Sequence, residues 1–268
     1  MEYKELGGTG EMVPEIGLGT WKYRGGPEPL RKGIELGANL IDTAEMYRNE
    51  SAVGEAIRGR RGQVFLATKV LGSHLRHDAV LRAAEESLRL LDDDVIDLYQ
   101  IHSPNGGVPI AETMRAMEEL VDRGIVRYIG VSNFSVAQLR EAQQAMTKYP
   151  VVSNQVLYNL KRRQIERDLI PYCAENSVTV IAYTPLADGS LTGRSRFRPD
   201  KGGSVLEQVA QEVSKTPAQV ALNWCMSRPN VIVIPKTNSV ARTIENCAAS
   251  GWSLTSAQVA ALDAAFPL

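Results

Sequence analysis

Short apolar segments rich in β-branched residues recur along the chain, and the segments between them carry helical spacing. Most of the apolar segments are nearly continuous runs rather than apolar–polar alternations, which is typical of parallel strands buried on both faces. The pattern predicts eight such strands, at 15–20, 39–44, 64–70, 96–102, 127–133, 152–158, 178–185 and 231–236.

The intervening segments show helix periodicity and helix-end signals. In HDAVLRAAEESLRLLDD, Val80, Ala84 and Leu88 fall on one face of a predicted helix. The segment IAETMRAMEELVDRG predicts a second helix that ends at Gly124 as a C-cap, and SVAQLREAQQAM a third that begins at Ser135 as an N-cap. Helices therefore alternate with the predicted strands.

A strand followed by a helix, repeated eight times without a low-complexity linker, predicts an α/β fold: a single (β/α)8 TIM barrel over 1–268. The alternative is a doubly wound sheet, but the turn GLGTWK lacks the third glycine of the dinucleotide-binding fingerprint of that fold. The start YKELGGTGEMV predicts a β-hairpin ahead of the barrel. The polar, basic segment 188–203 predicts a long loop on the active face.

Composition narrows the class of protein. The 268 residues carry a formal net charge of −1, which gives no basic surface for nucleic acid and none for an anionic membrane. No apolar run approaches the roughly 20 residues that span a bilayer, and the start lacks the features of a secretory signal. Three widely spaced cysteines fit free thiols in a reducing compartment. We therefore expect a cytoplasmic protein without a bound metal.

Polar residues follow three neighbouring predicted strands where barrel chemistry is found, at the carboxyl ends. Asp42 lies near the end of the second strand and Lys69 near the end of the third, while His102 ends the fourth. Tyr47 lies in the loop after the second strand. Taken alone, Asp42 is explained by a helix cap, Lys69 by a solvated charge, His102 by a structural role and Tyr47 by packing. Taken together, the four residues fit a site in which the Tyr47 phenol acts as a general acid. A phenol with a pKa of about 10 needs a nearby cation that stabilises the phenolate, and Lys69 held by Asp42 would supply it.

At this point the sequence resembles the aldo-keto reductases over nearly its whole length. The matching segments are GLGTW, DTAEMYRNESAVGEAI, LATKV, DLYQIHSP, GVSNF, NQVLYN, YTPL and IPKTNSVARTIEN. The resemblance implies that Asp42, Tyr47, Lys69 and His102 form the catalytic group, with Tyr47 as the proton donor and His102 orienting the substrate oxygen.

The resemblance also implies NADPH as the cofactor, with Ser132, Asn133 and Gln155 on the carboxamide and Tyr183 stacked on the nicotinamide. The 2′-phosphate would be bound by Lys236, Thr237, Asn238 and Arg242, and the adenine would lie near Glu245 and Asn246. The other cofactor positions implied by the resemblance are Gly19, Thr20, Thr184, Pro185 and Leu186.

The sequence differs from many members of that family in the residues predicted to form the substrate pocket. Ser103 follows the histidine where many relatives carry tryptophan, which predicts a wider pocket, and Trp21 remains as a pocket wall. The chain stops at Leu268 without the long C-terminal substrate loop of many relatives. We expect a small-molecule aldehyde or ketone substrate and a monomer or weak homo-oligomer. The alternatives are a cofactor-sensing regulatory subunit with little turnover and a Schiff-base aldolase using Lys69.

Overall fold

The computed structural model describes residues 1–193 and 201–268, and its centre is a sheet of eight parallel strands. Two short antiparallel strands, β1 (Tyr3–Glu5) and β2 (Met12–Pro14), precede it. The sheet strands are β3 (Leu18–Gly19), β4 (Leu40–Asp42), β5 (Phe65–Val70), β6 (Ile96–Ile101), β7 (Val126–Ser132), β8 (Val151–Leu157), β9 (Thr179–Tyr183) and β10 (Val231–Val233).

The eight strands close into a barrel. They pair in chain order from β3 to β10. The residues leading into β3 then pair with β10, since Ile16 bridges Val233 in parallel and the Gly17 amide donates to the Val233 carbonyl at 2.8 Å. This closure confirms the predicted (β/α)8 barrel, and the doubly wound alternative was wrong because such a sheet stays open.

Helices cover the outside of the barrel. They are α1 (Pro27–Glu35), α2 (Glu50–Ile57), α3 (His77–Leu91), α4 (Ile110–Asp122), α5 (Val136–Ala145), α6 (Leu169–Glu175), α7 (Lys201–Glu212), α8 (Pro217–Met226), α9 (Val240–Cys247) and α10 (Ser256–Ala265). Val80, Ala84 and Leu88 of α3 are buried as predicted, and Ser135 caps α5 within a capping box. Gly124 lies one residue beyond the C-cap of α4, at φ 75°, where glycine is favoured.

The hairpin closes the amino-terminal end of the barrel. Leu6 and Val13 from the hairpin pack with Leu40, Ile181 and other apolar residues of the barrel interior. This apolar plug fills the end of the barrel opposite the candidate site. Polar side chains are thereby confined to the interior at the carboxyl ends of the strands, where the chemistry of such barrels is found.

The connection between β9 and β10 departs from the alternation of one strand with one helix. Where the sequence predicted one long loop over 188–203, the described part contains a 3-10 turn at Ala187–Gly189 and the start of α7 at Lys201. The remainder of that predicted loop, 194–200, lies outside the described residues. Two helices, α7 and α8, thus lie between these strands.

Candidate active site

Asp42 and Lys69 form a buried ion pair at the carboxyl ends of β4 and β5. The Lys69 side chain is 0% exposed, and its Nζ donates to Asp42 Oδ1 at 2.5 Å. Lys69 faces the barrel interior, whereas its neighbour Thr68 faces outward and donates to the buried Glu50 carboxyl at 2.6 Å. This alternation along β5 explains why a lysine can end inside the barrel.

The Lys69 ammonium has three acceptors for its three protons. Besides Asp42, Nζ donates to the Thr43 carbonyl at 2.8 Å and to Tyr47 Oη at 3.5 Å. Burial lowers the pKa of Lys69, and the charge of Asp42 opposes that shift. The three acceptors match the charged form of the amine, so the arrangement holds a cation against the phenol.

The Tyr47 phenol lies at the end of a 3-10 turn, Glu45–Tyr47, and faces the barrel mouth. Burial, and next the negative charge of Asp42, raise the pKa of Tyr47 above its ordinary value. From the sequence we expected Lys69 to favour the phenolate. In the protein alone, burial and the negative charge of Asp42 outweigh that effect, so the pKa of Tyr47 is raised. Tyr47 is therefore a protonated phenol at neutral pH.

His102 lies beside Tyr47 and is neutral at neutral pH. The two rings meet edge to face, with centroids 5.5 Å apart and planes at 81°. Burial and the charge of Lys69 lower the pKa of His102 to about 4. Its Nδ1 is buried without a hydrogen-bond partner among the described residues. A neutral imidazole can donate one hydrogen bond without adding a second positive charge beside Lys69.

Two glutamines fix the other oxygen of Asp42. Gln155 Nε2 donates to Asp42 Oδ2 at 2.7 Å, and Gln100 Nε2 donates to the same oxygen at 3.2 Å. Gln155 Nε2 also donates to Gln100 Oε1 at 3.3 Å. The predicted cofactor residue Gln155 thus directs its amide nitrogen toward the ion pair, and Asp42 is held from three sides.

The residues predicted to hold the nicotinamide form a hydrogen-bonded group with one another. Ser132 Oγ donates to the Gln155 carbonyl at 2.8 Å, and Asn133 Nδ2 donates to the His102 carbonyl at 3.0 Å. The Tyr183 hydroxyl donates to Asn133 Oδ1 at 3.0 Å. Asn133 lies at φ 62°, a left-handed conformation that asparagine tolerates better than most residues. These bonds fix the Tyr183 ring relative to the ends of β7 and β8.

A cavity of about 690 Å³ runs from Tyr47 and His102 to the start of α9. Of the residues singled out in the sequence, Lys69, Ser103 and Asn238 do not line it. Lys69 lies behind Tyr47, while Asn238 Oδ1 accepts from the Arg24 amide at 3.0 Å. The singled-out residues that do line it are Gly19, Thr20, Trp21, Asp42, Tyr47, His102, Ser132, Asn133, Gln155, Tyr183, Thr184, Pro185, Leu186, Lys236, Thr237, Arg242, Glu245 and Asn246.

One end of this cavity is strongly cationic. Lys236 and Arg242 line it, and Lys22, which the sequence analysis did not single out, lines the cavity with its Nζ 5.5 Å from the centre of the Trp21 ring. Burial and the positive charges of Lys22, Arg24 and Arg242 lower the pKa of Lys236. The same end is therefore suited to a polyanionic group.

The opposite end, around Tyr47, is lined by apolar side chains. The Trp21 ring packs against the Tyr47 ring with centroids 4.9 Å apart. Trp21 is 46% exposed and Met46 is 42% exposed, although both are large apolar residues. Exposed apolar groups beside a buried polar site are typical of a substrate entrance.

Sequence reasoning missed Gln100, Asn49, Lys22 and Met46. Gln100 lies on β6, two residues before His102, which directly follows the strand. Strand periodicity places both residues on the same face and could have identified Gln100. Asn49 Nδ2 donates to the Thr20 carbonyl at 2.8 Å and its Oδ1 accepts from Thr43, a link that no sequence pattern signals.

The described residues contain neither a membrane-spanning helix nor a metal-binding cluster. Among the helices of 1–193 and 201–268, none has the length and apolar content that crossing a membrane requires. In the same ranges, no cluster of three or more histidine, cysteine, aspartate or glutamate side chains is placed to hold a metal ion.

Comparison with known proteins identifies the family. The model of the aldo/keto reductase family matches residues 15–266. The chain is 39% identical over 279 residues to the methylglyoxal reductase YeaE of Escherichia coli K12, covering 100% of this chain and 96% of that protein. It aligns with a thermostable aldo-keto reductase solved with the inhibitor epalrestat at a TM-score of 0.92 and 40% identity, over 99% of this chain and 100% of that one. It also aligns with an aldo-keto reductase from Klebsiella pneumoniae in complex with NADPH at a TM-score of 0.89 and 37% identity, over 100% of this chain and 96% of that one. The chain therefore belongs to the aldo/keto reductase family.

Proposed function

We propose that this protein is an NADPH-dependent carbonyl reductase that converts small aldehydes and ketones to alcohols, with Tyr47 as the general acid. The observation that carries the proposal is the placement of a protonated Tyr47 phenol against the Lys69 ammonium. Lys69 is in turn held by Asp42, at one end of a cavity whose other end is cationic.

The residues present fit a phosphorylated dinucleotide. Tyr47 and His102 line one part of the cavity, and Lys236 and Arg242 line another. These two residues would hold the 2′-phosphate, since Arg offers a fork of donors and Lys a point charge. Tyr183, fixed by Asn133, would stack on the nicotinamide ring. When bound, NADPH supplies the hydride that reduces the carbonyl carbon.

The side chains of this protein supply the proton. Tyr47 donates its phenolic proton to the carbonyl oxygen as negative charge develops there, and the nearby Lys69 ammonium stabilises the resulting phenolate. The neutral His102 ring, packed against Tyr47, orients the substrate oxygen by a hydrogen bond. Asp42, fixed by Gln100 and Gln155, keeps Lys69 charged and directed at the phenol.

The Lys69 geometry argues against the Schiff-base alternative. A lysine nucleophile needs an uncharged amine with a free lone pair that faces the substrate. Lys69 Nζ instead has three acceptors, is fully buried and lies behind Tyr47. A carbonyl carbon in the cavity would have to displace the phenol to reach it.

The substrate class we propose is small aldehydes, including 2-oxoaldehydes. The similarity to a methylglyoxal reductase supports this class. The Trp21 and Met46 side chains at the entrance would contact the short apolar part of such a substrate, while Tyr47 and His102 meet its carbonyl oxygen.

The test is NADPH absorbance loss with a panel of methylglyoxal, glyoxal, simple aldehydes, ketones and keto-sugars. We expect turnover of several aldehydes, with methylglyoxal among the best. Tight NADPH binding without turnover of any carbonyl compound would instead support the cofactor-sensing regulatory role.

A further inference from the structure

The loop after β3, residues 20–26, packs directly on the loop after β10. A Cβ placed on Gly19 would lie 2.6 Å from the Ile234 carbonyl oxygen, and one placed on Gly25 would lie 2.9 Å from Asn238 Cα. The two backbones therefore approach each other more closely than side chains would allow. They form one continuous wall at the cationic end of the cavity.

Arg24 is held at this wall by its backbone. Its amide donates to Asn238 Oδ1 at 3.0 Å, while its own side chain is exposed. The preceding residue, Tyr23, is buried, and its hydroxyl donates to the Gly26 carbonyl at 2.5 Å. This tight turn fixes the backbone of Arg24 against the segment that carries Lys236 and Arg242.

Four cationic residues lie on or beside the two joined loops. Lys22, Arg24 and Arg242 all lie near enough to act electrostatically on Lys236. Across the described residues, no ion pair neutralises any of these four side chains. Like charges that lie close together repel one another, and an anion bound between them would offset that repulsion.

We propose that Arg24, on the loop after β3, is an additional binding residue for the adenosine 2′-phosphate of NADPH, and that Asn238 positions it. The inference rests on the proposed function and adds a second loop to the phosphate site. Lys236 and Arg242 would contact the phosphate from the β10 side, and Arg24 from the β3 side. Asn238, predicted from sequence to contact the cofactor, would act through the Arg24 backbone.

The position of Arg24 predicts that it strengthens the binding of NADPH and not the binding of NADH. A 2′-phosphate carries nearly two negative charges at pH 7, and NADH lacks it. Because Arg24 is tied to the segment of Lys236 and Arg242, its guanidinium should act on that group and not on the nicotinamide half. Binding of NADPH should also weaken with salt, more steeply than binding of NADH, because exposed charges are screened.

The test measures the dissociation constants of NADPH and NADH by fluorescence titration for Arg24→Ala, Arg24→Lys and Arg242→Ala. We expect Arg24→Ala to weaken NADPH about tenfold, as for one charge-assisted contact, with NADH unchanged. Arg24→Lys should recover part of the loss. The dependence of NADPH affinity on salt concentration should become shallower in Arg24→Ala. Arg242→Ala gives the reference for a phosphate contact from the β10 side.

The matched control is Arg58→Ala, which removes an exposed arginine at the end of α2 that pairs with Asp92. This control should leave both affinities unchanged. Unchanged NADPH affinity in Arg24→Ala, or equal weakening of NADPH and NADH, would overturn the inference while leaving the proposed function intact. An unmutated protein that binds neither cofactor would overturn both.

Discussion

Tyr47 lies close to a cation, to two aromatic rings and to the carboxylate of Asp42. Its Oη accepts from a buried ammonium, its ring packs on Trp21 and His102, and the charge of Asp42 opposes its ionisation. A group that resists ionisation in the free protein keeps its proton until negative charge develops on a bound substrate. This property suits a general acid, which must arrive protonated.

The first prediction concerns Tyr47→Phe. Phenylalanine keeps the ring packing on Trp21 and His102 but removes the donated proton. We expect kcat for methylglyoxal reduction to fall by about 10²–10⁴-fold, the usual range for the loss of a general acid. NADPH affinity should change little, because the cationic end of the cavity is untouched. Steady-state kinetics and fluorescence titration measure the two quantities, and wild-type turnover would remove Tyr47 from the mechanism.

At the scale of single elements, the close approach of α2 to α3 depends on a missing side chain. Gly54 lies in the middle of α2, and a Cβ there would lie 2.3 Å from the Leu91 carbonyl oxygen at the end of α3. Since α2 begins with Glu50, which binds Thr68 on β5, the position of α2 also affects the strand that carries Lys69.

The second prediction follows from that contact. Gly54→Ala should lower the free energy of unfolding by about 1–3 kcal/mol, because overpacking against backbone outweighs the better helix propensity of alanine. The control is Gly62→Ala, where a Cβ would meet nothing within 4 Å. Chemical denaturation of both variants measures the difference. Equal stability of the two variants would show that α2 can shift away from α3 without cost.

The barrel elements could be predicted from sequence because each depends on local pattern. Buried strands such as β5 and β6 are continuous apolar runs, and Ser135 is followed by Gln138, which completes its capping box. The helix pair between β9 and β10 was missed because α7 follows a polar, glycine-containing segment. Helix formation there depends on packing, since α7 and α8 bury apolar residues in the outer core.

The sequence allowed us to predict which residues lie at the candidate site, but not which hydrogen bonds and pKa shifts they have there. Strand-end positions placed Asp42, Lys69 and His102 together, and the structure brings them together. The direction of the Tyr47 pKa shift, and the hydrogen bond from Gln155 to Asp42, depend on burial and side-chain orientation. Those quantities arise only when distant segments of the chain pack against each other.

At the scale of the whole molecule, the pKa of His102 links the stability of the fold to pH. His102 lies in the barrel mouth, whereas the other two histidines of the chain, His74 and His77, lie near the surface beside carboxylate groups. Because the pKa of His102 in the folded protein is about 4, below the ordinary value of 6.5, the unfolded chain takes up a proton there before the folded protein does. Between these two values, the folded state therefore loses stability as the pH falls.

The third prediction is that this stability contribution is complete above pH 6.5 and is lost progressively as the pH falls toward 4. His102→Gln should remove it, so the unfolding midpoint of the variant should decline less steeply than that of the unmutated protein over this range. Nuclear magnetic resonance of the ring protons tests the cause directly, and the signal absent from His102→Gln should titrate near pH 4. Titration of that signal near pH 6.5 would mean that His102 is solvated and can carry charge during turnover. The proposed orienting role of a neutral imidazole would then be wrong, whereas a titration near pH 4 would keep the histidine neutral throughout the physiological range.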